Sequence, residues 1–323
     1  MSVSRGTLLS VVTPAYNEAQ NLAILAERLI ATLAATGLDW EWVVVDDHST
    51  DDTFAILARL AAQHPRIRAV RFARNFGSHA AIACGLDEAK GDAVVMLAAD
   101  LQDPPEVIEQ LIAEWRKGAH VVWAVRAHRE GEPRSTIWFS RLYYWLMRNV
   151  VGLKEIAETG ADFFLLDRRV VDAAKGFQES HTSILGLLAW LGFRQVSVAY
   201  DKQARRHGRS GWTLEKRLKL VADSVTSFTY LPIRLMSYVG FLVALLGFLY
   251  AGIVVVNAIA GRPVQGWSSL MVVVLVIGGI QMLMMGVLGE YLWRALDEAR
   301  RRPRYVIETT LAEAAGESAA GAR

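Results

Sequence analysis

Short apolar runs alternate with stretches of helical period over the first third of the chain. Leu8–Thr13 has the apolar content of a buried strand. Gln20–Ala35 follows with Leu22, Leu25, Leu29 and Leu33 on one helical face. Trp40–Val45 repeats the strand signal and Thr53–Gln63 the helical one, with Ser49 or Asp51 as its cap. Ile67–Phe72 and a helix from Ser78 to Ala89 form the next pair. Ala93–Ala99 is another buried strand; Pro104 and Pro105 stop it, and a helical pattern begins near Glu106. This alternation predicts an α/β fold with a doubly wound, mostly parallel sheet. His120–Val125, Phe163–Leu166 and Phe193–Tyr200 are further strands.

Beyond residue 212 the pattern changes. Leu214 to Thr229 is amphipathic, with Lys216, Arg217 and Lys219 on one face and Leu218, Val221, Val225 and Phe228 on the other. A cationic helix of this kind lies on an anionic membrane surface. Leu235–Gly261 and Pro263–Gly289 then carry no charge; each is about 27 residues long, against the ~20 that a bilayer core requires. The link between them holds one arginine, whereas Arg294, Arg300, Arg301, Arg302 and Arg304 follow the second stretch. The positive-inside rule places both termini in the cytoplasm, around a two-span hairpin in the cell inner membrane. Gly240, Ala244, Gly247 and Ala251 share one helical face, allowing close contact within the hairpin or between subunits of a homo-oligomer. From Glu308 the tail is rich in Ala, Glu and Gly, which predicts disorder. The expected organisation is a cytoplasmic domain (1–212), a juxtamembrane helix (213–232), a hairpin (233–293) and a tail (294–323).

Composition agrees with this division. Of 323 residues 53% are hydrophobic, high for a soluble protein. The net charge of +2 names no polyanionic partner, and no nucleic acid is expected. The single cysteine, Cys84, excludes an intrachain disulfide and a cysteine-based zinc site. Leu8–Thr13 is too short for a signal peptide and meets Pro14, so the first domain is expected to stay in the cytoplasm.

The chemistry gathers at strand ends. Tyr16/Asn17/Glu18, Asp46/Asp47 and Asp100/Gln102 each close a strand, and such ends collect along one edge of a parallel sheet. Asp100 and Gln102 sit two apart, so on continuing strand geometry they share a face. Together they suit Mg²⁺ or Mn²⁺ on a diphosphate. Asp103 is either part of this cluster or only a helix cap. Neither G-x-G-x-x-G nor a P-loop occurs, which argues against a nicotinamide dehydrogenase or a P-loop ATPase. Arg126, Arg129, Arg134, Arg141 and Arg148 alternate with Trp138, Tyr143, Tyr144 and Trp145, a set suited to a phosphate on an apolar tail. Asp162 either faces the site or belongs to a turn. Lys202, Arg205, Arg206, His207 and Arg209 make a second basic stretch.

The ordered set Pro14-Ala-Tyr-Asn-Glu18, Val44-Val-Asp-Asp-x-Ser-x-Asp51, Arg74-Asn-Phe-Gly77, Ala99-Asp-Leu-Gln-Asp-Pro-Pro-Glu106 and Glu158-Thr-Gly160 with Asp162 downstream, followed by two spans, resembles family 2 glycosyltransferases. More narrowly it is similar to the polyprenyl-phosphate glycosyltransferases, over about residues 8 to 295. The resemblance implies a GT-A fold, a nucleotide-sugar donor, a polyprenyl phosphate acceptor and a divalent metal. By motif, Pro14, Tyr16, Glu18, Asp46, Asp47, Asn75 and Gly77 would hold the donor nucleotide. Asp100 and Gln102 would hold the metal, and Asp162 would lie beside the reacting sugar. Arg126, Ser140 and Arg141 would meet the acceptor phosphate. Three positions depart from the pattern: Ala98 where Asp is frequent, His48 where Gly is usual, and Gly211 where many relatives carry Lys. Arg206 or Arg209 would then substitute in phosphate binding. The alternatives are a processive polysaccharide synthase, from Gln203-Ala-Arg-Arg-His207, and a non-catalytic protein with a degenerate transferase domain.

Overall fold

The computed structural model describes residues 6–127, 145, 147–149, 162–177, 184–203, 229, 231–260 and 266–311. The chain divides into two compact units, one of residues 1–220 with 303–323, the other of residues 221–302. In the first unit β1 (Leu8–Ala15), α1 (Ala19–Ala35), β2 (Asp39–Asp46), α2 (Thr53–Gln63), β3 (Ile67–Phe72), α3 (Ser78–Glu88) and β4 (Ala93–Met96) follow one another. After a turn at Pro105–Val107 come α4 (Ile108–Arg116), β5 (Val121–Arg126), β6 (Phe164–Asp167), α5 (Arg168–Lys175), α6 (Ile184–Trp190) and β7 (Gln195–Tyr200). The last strand is β8 (Ile307–Leu311). Among the described residues these strands form one eight-stranded sheet, in the order β7-β5-β6-β4-β1-β2-β3-β8.

The sheet core is parallel, as the alternation predicts. β1 pairs with β2 and β4, β2 with β3, and β5 with β7, all parallel. Its strands are buried on both faces, which is why they read as continuous apolar runs. Leu9 and Val11 pack with Leu22, Leu25, Leu29 and Leu33 of α1 on one face. Val12 and Val43 pack with Ile82 and Leu86 of α3 on the other. At Gly85 of α3 a Cβ would stand 2.1 Å from Val12 Cγ1, so glycine lets this helix lie close on the sheet. β6 runs antiparallel between β4 and β5.

Two expectations are corrected. The strand predicted over Ala93–Ala99 ends at Met96. Leu97 N still donates to Val12 O (2.9 Å), and then the chain turns, with Leu101 at φ 59°. Asp100 and Gln102 therefore do not share a strand face; they occupy a tight turn. The tail expected to be disordered from Glu308 instead begins as β8, which adds antiparallel to the β3 edge. Its side chains explain this. Tyr305 stacks on Phe72 at 5.1 Å and donates to Asp87 (2.8 Å), and Glu308 pairs with Arg71 (3.2 Å). Composition favoured disorder, but edge pairing and these anchors outweigh it.

The second unit holds α7 (Leu231–Ile259) and α8 (Trp267–Ala299). Ile233–Asn257 and Leu270–Ala299 are long and apolar enough to cross a membrane, with mean hydropathies of 2.6 and 2.5. Of the small-residue face, a Cβ at Gly240 would stand 3.2 Å from Met284 Cε in α8, so this position serves contact within the hairpin. Gly247 faces open space. The juxtamembrane helix expected over Leu214–Thr229 lies outside the described residues, apart from Thr229.

One buried ion network ties the strands together. Ser10 Oγ donates to Glu41 Oε1 (2.5 Å), Lys90 N donates to the same oxygen (2.7 Å), and Arg68 Nη2 donates to Oε2 (2.9 Å). Desolvation pulls the Glu41 carboxyl upward, but Ser10, the Lys90 amide and Arg68 together hold it below its ordinary value. A depressed value means the ionised group stabilises the fold above its unfolded pKa, and that the gain is lost as pH falls through the folded value. Glu41→Gln is expected to cost about 1–3 kcal/mol at pH 7. The deficit should shrink below about pH 4, as denaturant midpoints at the two pH values would reveal.

Candidate functional site

Strand register builds the site edge. Ala15 lies opposite Asp46, and Asp46 opposite Arg71, so the segments after β1, β2 and β3 emerge side by side. Arg126 lies opposite Tyr200 at the ends of β5 and β7. β6 enters the sheet from this same edge, because Phe164 pairs with Met96 and Trp123. Asp162, just before β6, is therefore delivered beside the ends of β4 and β5.

The first cluster is a laced pair of loops. Asn17, at φ 57°, donates through its N to Ser49 Oγ (2.9 Å) and accepts from Thr50 N at Oδ1 (2.8 Å). Glu18 N donates to Thr53 Oγ1 (2.8 Å), and Glu18 Oε2 accepts from Asn21 Nδ2 (2.6 Å). Asp51 accepts from Thr53 N (3.0 Å) and Ala19 N (3.2 Å), so it serves both loops as well as the start of α2. Tyr16 is exposed, while Pro14 and Glu18 are half-buried.

Asp46 and Asp47 have internal partners. Asp46 is wholly buried; Oδ1 accepts from Ser49 N (3.0 Å), and Oδ2 lies 3.6 Å from Arg71 Nε. Asp47 Oδ1 accepts from Phe76 N (2.7 Å) and Oδ2 from Gly77 N (2.9 Å). Desolvation raises the Asp47 carboxyl; the two amides oppose this, and Asp46 adds to it. Gly77, at φ 93°, opens α3 in a backbone region that favours glycine. Asn75 beside it is exposed. In this structure the acidic pair shapes the loops that present Tyr16, Asn75 and Gly77, and Asp46 offers no surface to a ligand. His48 occupies the left-handed region at φ 60°, a conformation that favours glycine; its Nδ1 lies 2.9 Å from Phe72 O.

The second cluster surrounds the turn after β4. Asp100 Oδ1 accepts from Gln102 N (3.2 Å), and both residues are half-buried. Asp103 does not cap the following helical turn, whose N-cap is Pro104. It is 1% exposed, accepts a hydrogen bond from Tyr200 OH, and lies 3.6 Å from Lys202 Nζ. Asp162 is open to solvent, yet protein encloses it closely enough that desolvation raises its carboxyl. Lys202 and Arg126 oppose that rise, and Asp103 and Asp100 add to it. Three carboxylates and two cations thus sit within electrostatic reach of one another. Ala98 adds no donor. Asp100 and Gln102 offer carboxylate and amide oxygens, a donor chemistry that fits Mg²⁺ or Mn²⁺, although among the described residues no three carboxylates, histidines or cysteines gather closely enough to form a metal cluster by themselves. Ser140, Arg141, Arg206 and Arg209 lie outside the described residues. Sequence reasoning missed Tyr200 and the role of Lys202, since a strand-terminal Tyr and a lysine in a basic run carry no local signal.

A mostly parallel sheet with acidic loops gathered at its carboxyl edge is the architecture of GT-A glycosyltransferases. Residues 10–174 match the Glycosyl transferase family 2 domain, and residues 231–294 match the GtrB C-terminal hairpin. An uncharacterized glycosyltransferase of Bacillus subtilis (strain 168), YkcC, is 38% identical over 307 residues, 95% of each chain. A bactoprenol glucosyl transferase of Shigella phage SfV is 35% identical over 305 residues, 93% of this chain and 98% of that one. A prophage bactoprenol glucosyl transferase homolog of Escherichia coli (strain K12) is 35% identical over 305 residues, with the same two coverages. The chain belongs to glycosyl transferase family 2.

Removing the Asp47 carboxylate leaves the Phe76 and Gly77 amides without their acceptor. Asp47→Ala is expected to cost about 2–3 kcal/mol, read as a lowered thermal midpoint of the detergent-solubilised protein. Unchanged stability would remove the loop-shaping role.

Proposed function

We propose that this chain transfers one sugar from a nucleotide sugar to a polyprenyl phosphate at a membrane surface, with inversion at the anomeric carbon. The observation that carries the reading is the meeting of Asp100, Gln102, Asp162 and Arg126 at one sheet edge, in a chain with two membrane-length helices. Relatives named bactoprenol glucosyl transferases support a bactoprenol-linked acceptor and a glucosyl donor, which on this reading are undecaprenyl phosphate and a UDP-hexose. The arginine excess after α8 supports a cytoplasmic site at the inner membrane.

The chemistry asks little of a general base. A phosphate monoester has a second pKa near 6, so at pH 7 the acceptor is largely dianionic and already nucleophilic. The chain's own task is to position two anions and to offset their charge. Arg126, with Ser140, Arg141 and Arg206 or Arg209, would receive the acceptor phosphate. The laced loops carrying Pro14, Tyr16, Glu18, Asn75 and Gly77 would hold the nucleoside, with Asp46 and Asp47 shaping them from beneath. Asp162 would orient the sugar and stabilise positive charge at its anomeric carbon. Mg²⁺ or Mn²⁺, held by Asp100 and Gln102, would supply charge neutralisation for the departing diphosphate.

Membranes containing the protein, given undecaprenyl phosphate and a panel of nucleotide sugars, are expected to yield one lipid bearing a single sugar by mass spectrometry. A polymer, or no glycolipid with any donor, would refute the reading. Asp100→Ala should lower turnover at least about 100-fold. Near-native activity of the purified variant would remove Asp100 from the site.

A further inference from the structure

We infer that Asp103, Tyr200 and Lys202 form a positioning device that holds the Asp100–Gln102 turn in its ligand-binding shape. The inference rests on the proposal that this turn holds a divalent cation. The turn needs such a hold. Leu101 is buried and stands at φ 59°, a left-handed conformation that side chains other than glycine rarely adopt. Such a conformation persists only where its surroundings over-determine it.

The end of β7 supplies the surroundings. Tyr200 OH donates to Asp103, and Lys202 Nζ reaches Asp103 Oδ1 at 3.6 Å with its side chain 16% exposed. Gln203 N donates to Gln102 O (2.8 Å), fixing the turn's own backbone. Gln203 Oε1 in turn accepts from Arg28 (3.3 Å), whose Nη2 pairs with Glu106 (2.8 Å), just past the two prolines. The Tyr200 ring also meets Phe163 edge-on at 5.8 Å, next to Asp162. One strand end therefore grips both carboxylate-bearing segments. Asp103 is the anchor: a fully buried carboxylate loses far more by losing a partner than an exposed one does. Desolvation and the nearby Asp103 charge both hold the Tyr200 hydroxyl in its protonated, donating form.

The test counts bound Mn²⁺ on the full-length detergent-solubilised protein by electron paramagnetic resonance, with uridine diphosphate in one arm and guanosine diphosphate in the other. Tyr200→Phe keeps the ring and removes the donor; Lys202→Met removes the charge and Lys202→Arg retains it. Tyr200→Phe and Lys202→Met are each expected to need about tenfold more Mn²⁺ for half-saturation, the scale of an outer-shell loss. Lys202→Arg should return to within about twofold of wild type. Wild-type Mn²⁺ curves in both Tyr200→Phe and Lys202→Met would overturn the positioning role, and so would a Lys202→Arg protein as weak as Lys202→Met. If Tyr200→Phe fails to fold, the two Lys202 variants decide. A wild-type protein that retains no Mn²⁺ in either arm would instead overturn the cation reading itself.

Discussion

Strand register is the constraint on which everything else here depends. Parallel pairing sends the carboxyl ends of β1 to β4 to one edge, and the row Ala15, Asp46, Arg71 fixes how their loops abut. The reversed β6 extends that edge, since only an antiparallel strand can bring the residues before it to the ends of its neighbours. A slip of one residue would turn Val12 and Val43 toward the wrong layer and carry the acidic loops out of line. The double-sided core forbids such a slip, because both faces of these strands are filled. The chemistry at the edge is in this sense a consequence of packing well below it.

Charges of both signs stand at that edge before any substrate arrives. Asp103 and Asp162 face Lys202 and Arg126, and Asp46 faces Arg71, itself paired with Glu308. A site built from unopposed carboxylates would repel a diphosphate, and one built from unopposed arginines would hold its product. Mixed signs at short range let an incoming anion exchange partners instead of meeting a bare field. Preorganised charges of this kind need little rearrangement at the moment of reaction. On the proposed reading, this is how two anionic reactants come to share one edge.

The fold was largely legible because its signals are local. Leu22, Leu25, Leu29 and Leu33 announce a helix, and the apolar runs of β1 to β4 announce buried strands. The acidic residues stood out for a related reason, as hard oxygens directly after apolar runs. What escaped depended on distant partners. β8 has tail-like composition, and it becomes a strand only because β3 offers an unpaired edge with Phe72 and Arg71 beside it. The end of β4 was misplaced because Leu97–Ala99 remains apolar after pairing has stopped. Its turn is held by Tyr200 and Gln203, about a hundred residues away in sequence. No window along the chain contains both halves of that contact.

The two departures from the family pattern inside the described residues differ in how the structure meets them. His48 takes a left-handed conformation that glycine would adopt freely, yet histidine is among the side chains most tolerant of it. Its ring nitrogen gains Phe72 O as a partner, and Glu308 lies 3.7 Å from the same atom. That substitution is compensated where it occurs. Ala98 differs, because a methyl group stands where the family pattern has a carboxylate and brings no oxygen of its own. On the proposed reading the oxygen donors of this region then come from the turn itself. A donor set with fewer members tolerates less misplacement of each one. The loss at Ala98 thus raises the demand on whatever fixes the turn, and in this chain that burden falls on a buried aspartate gripped by the end of a distant strand.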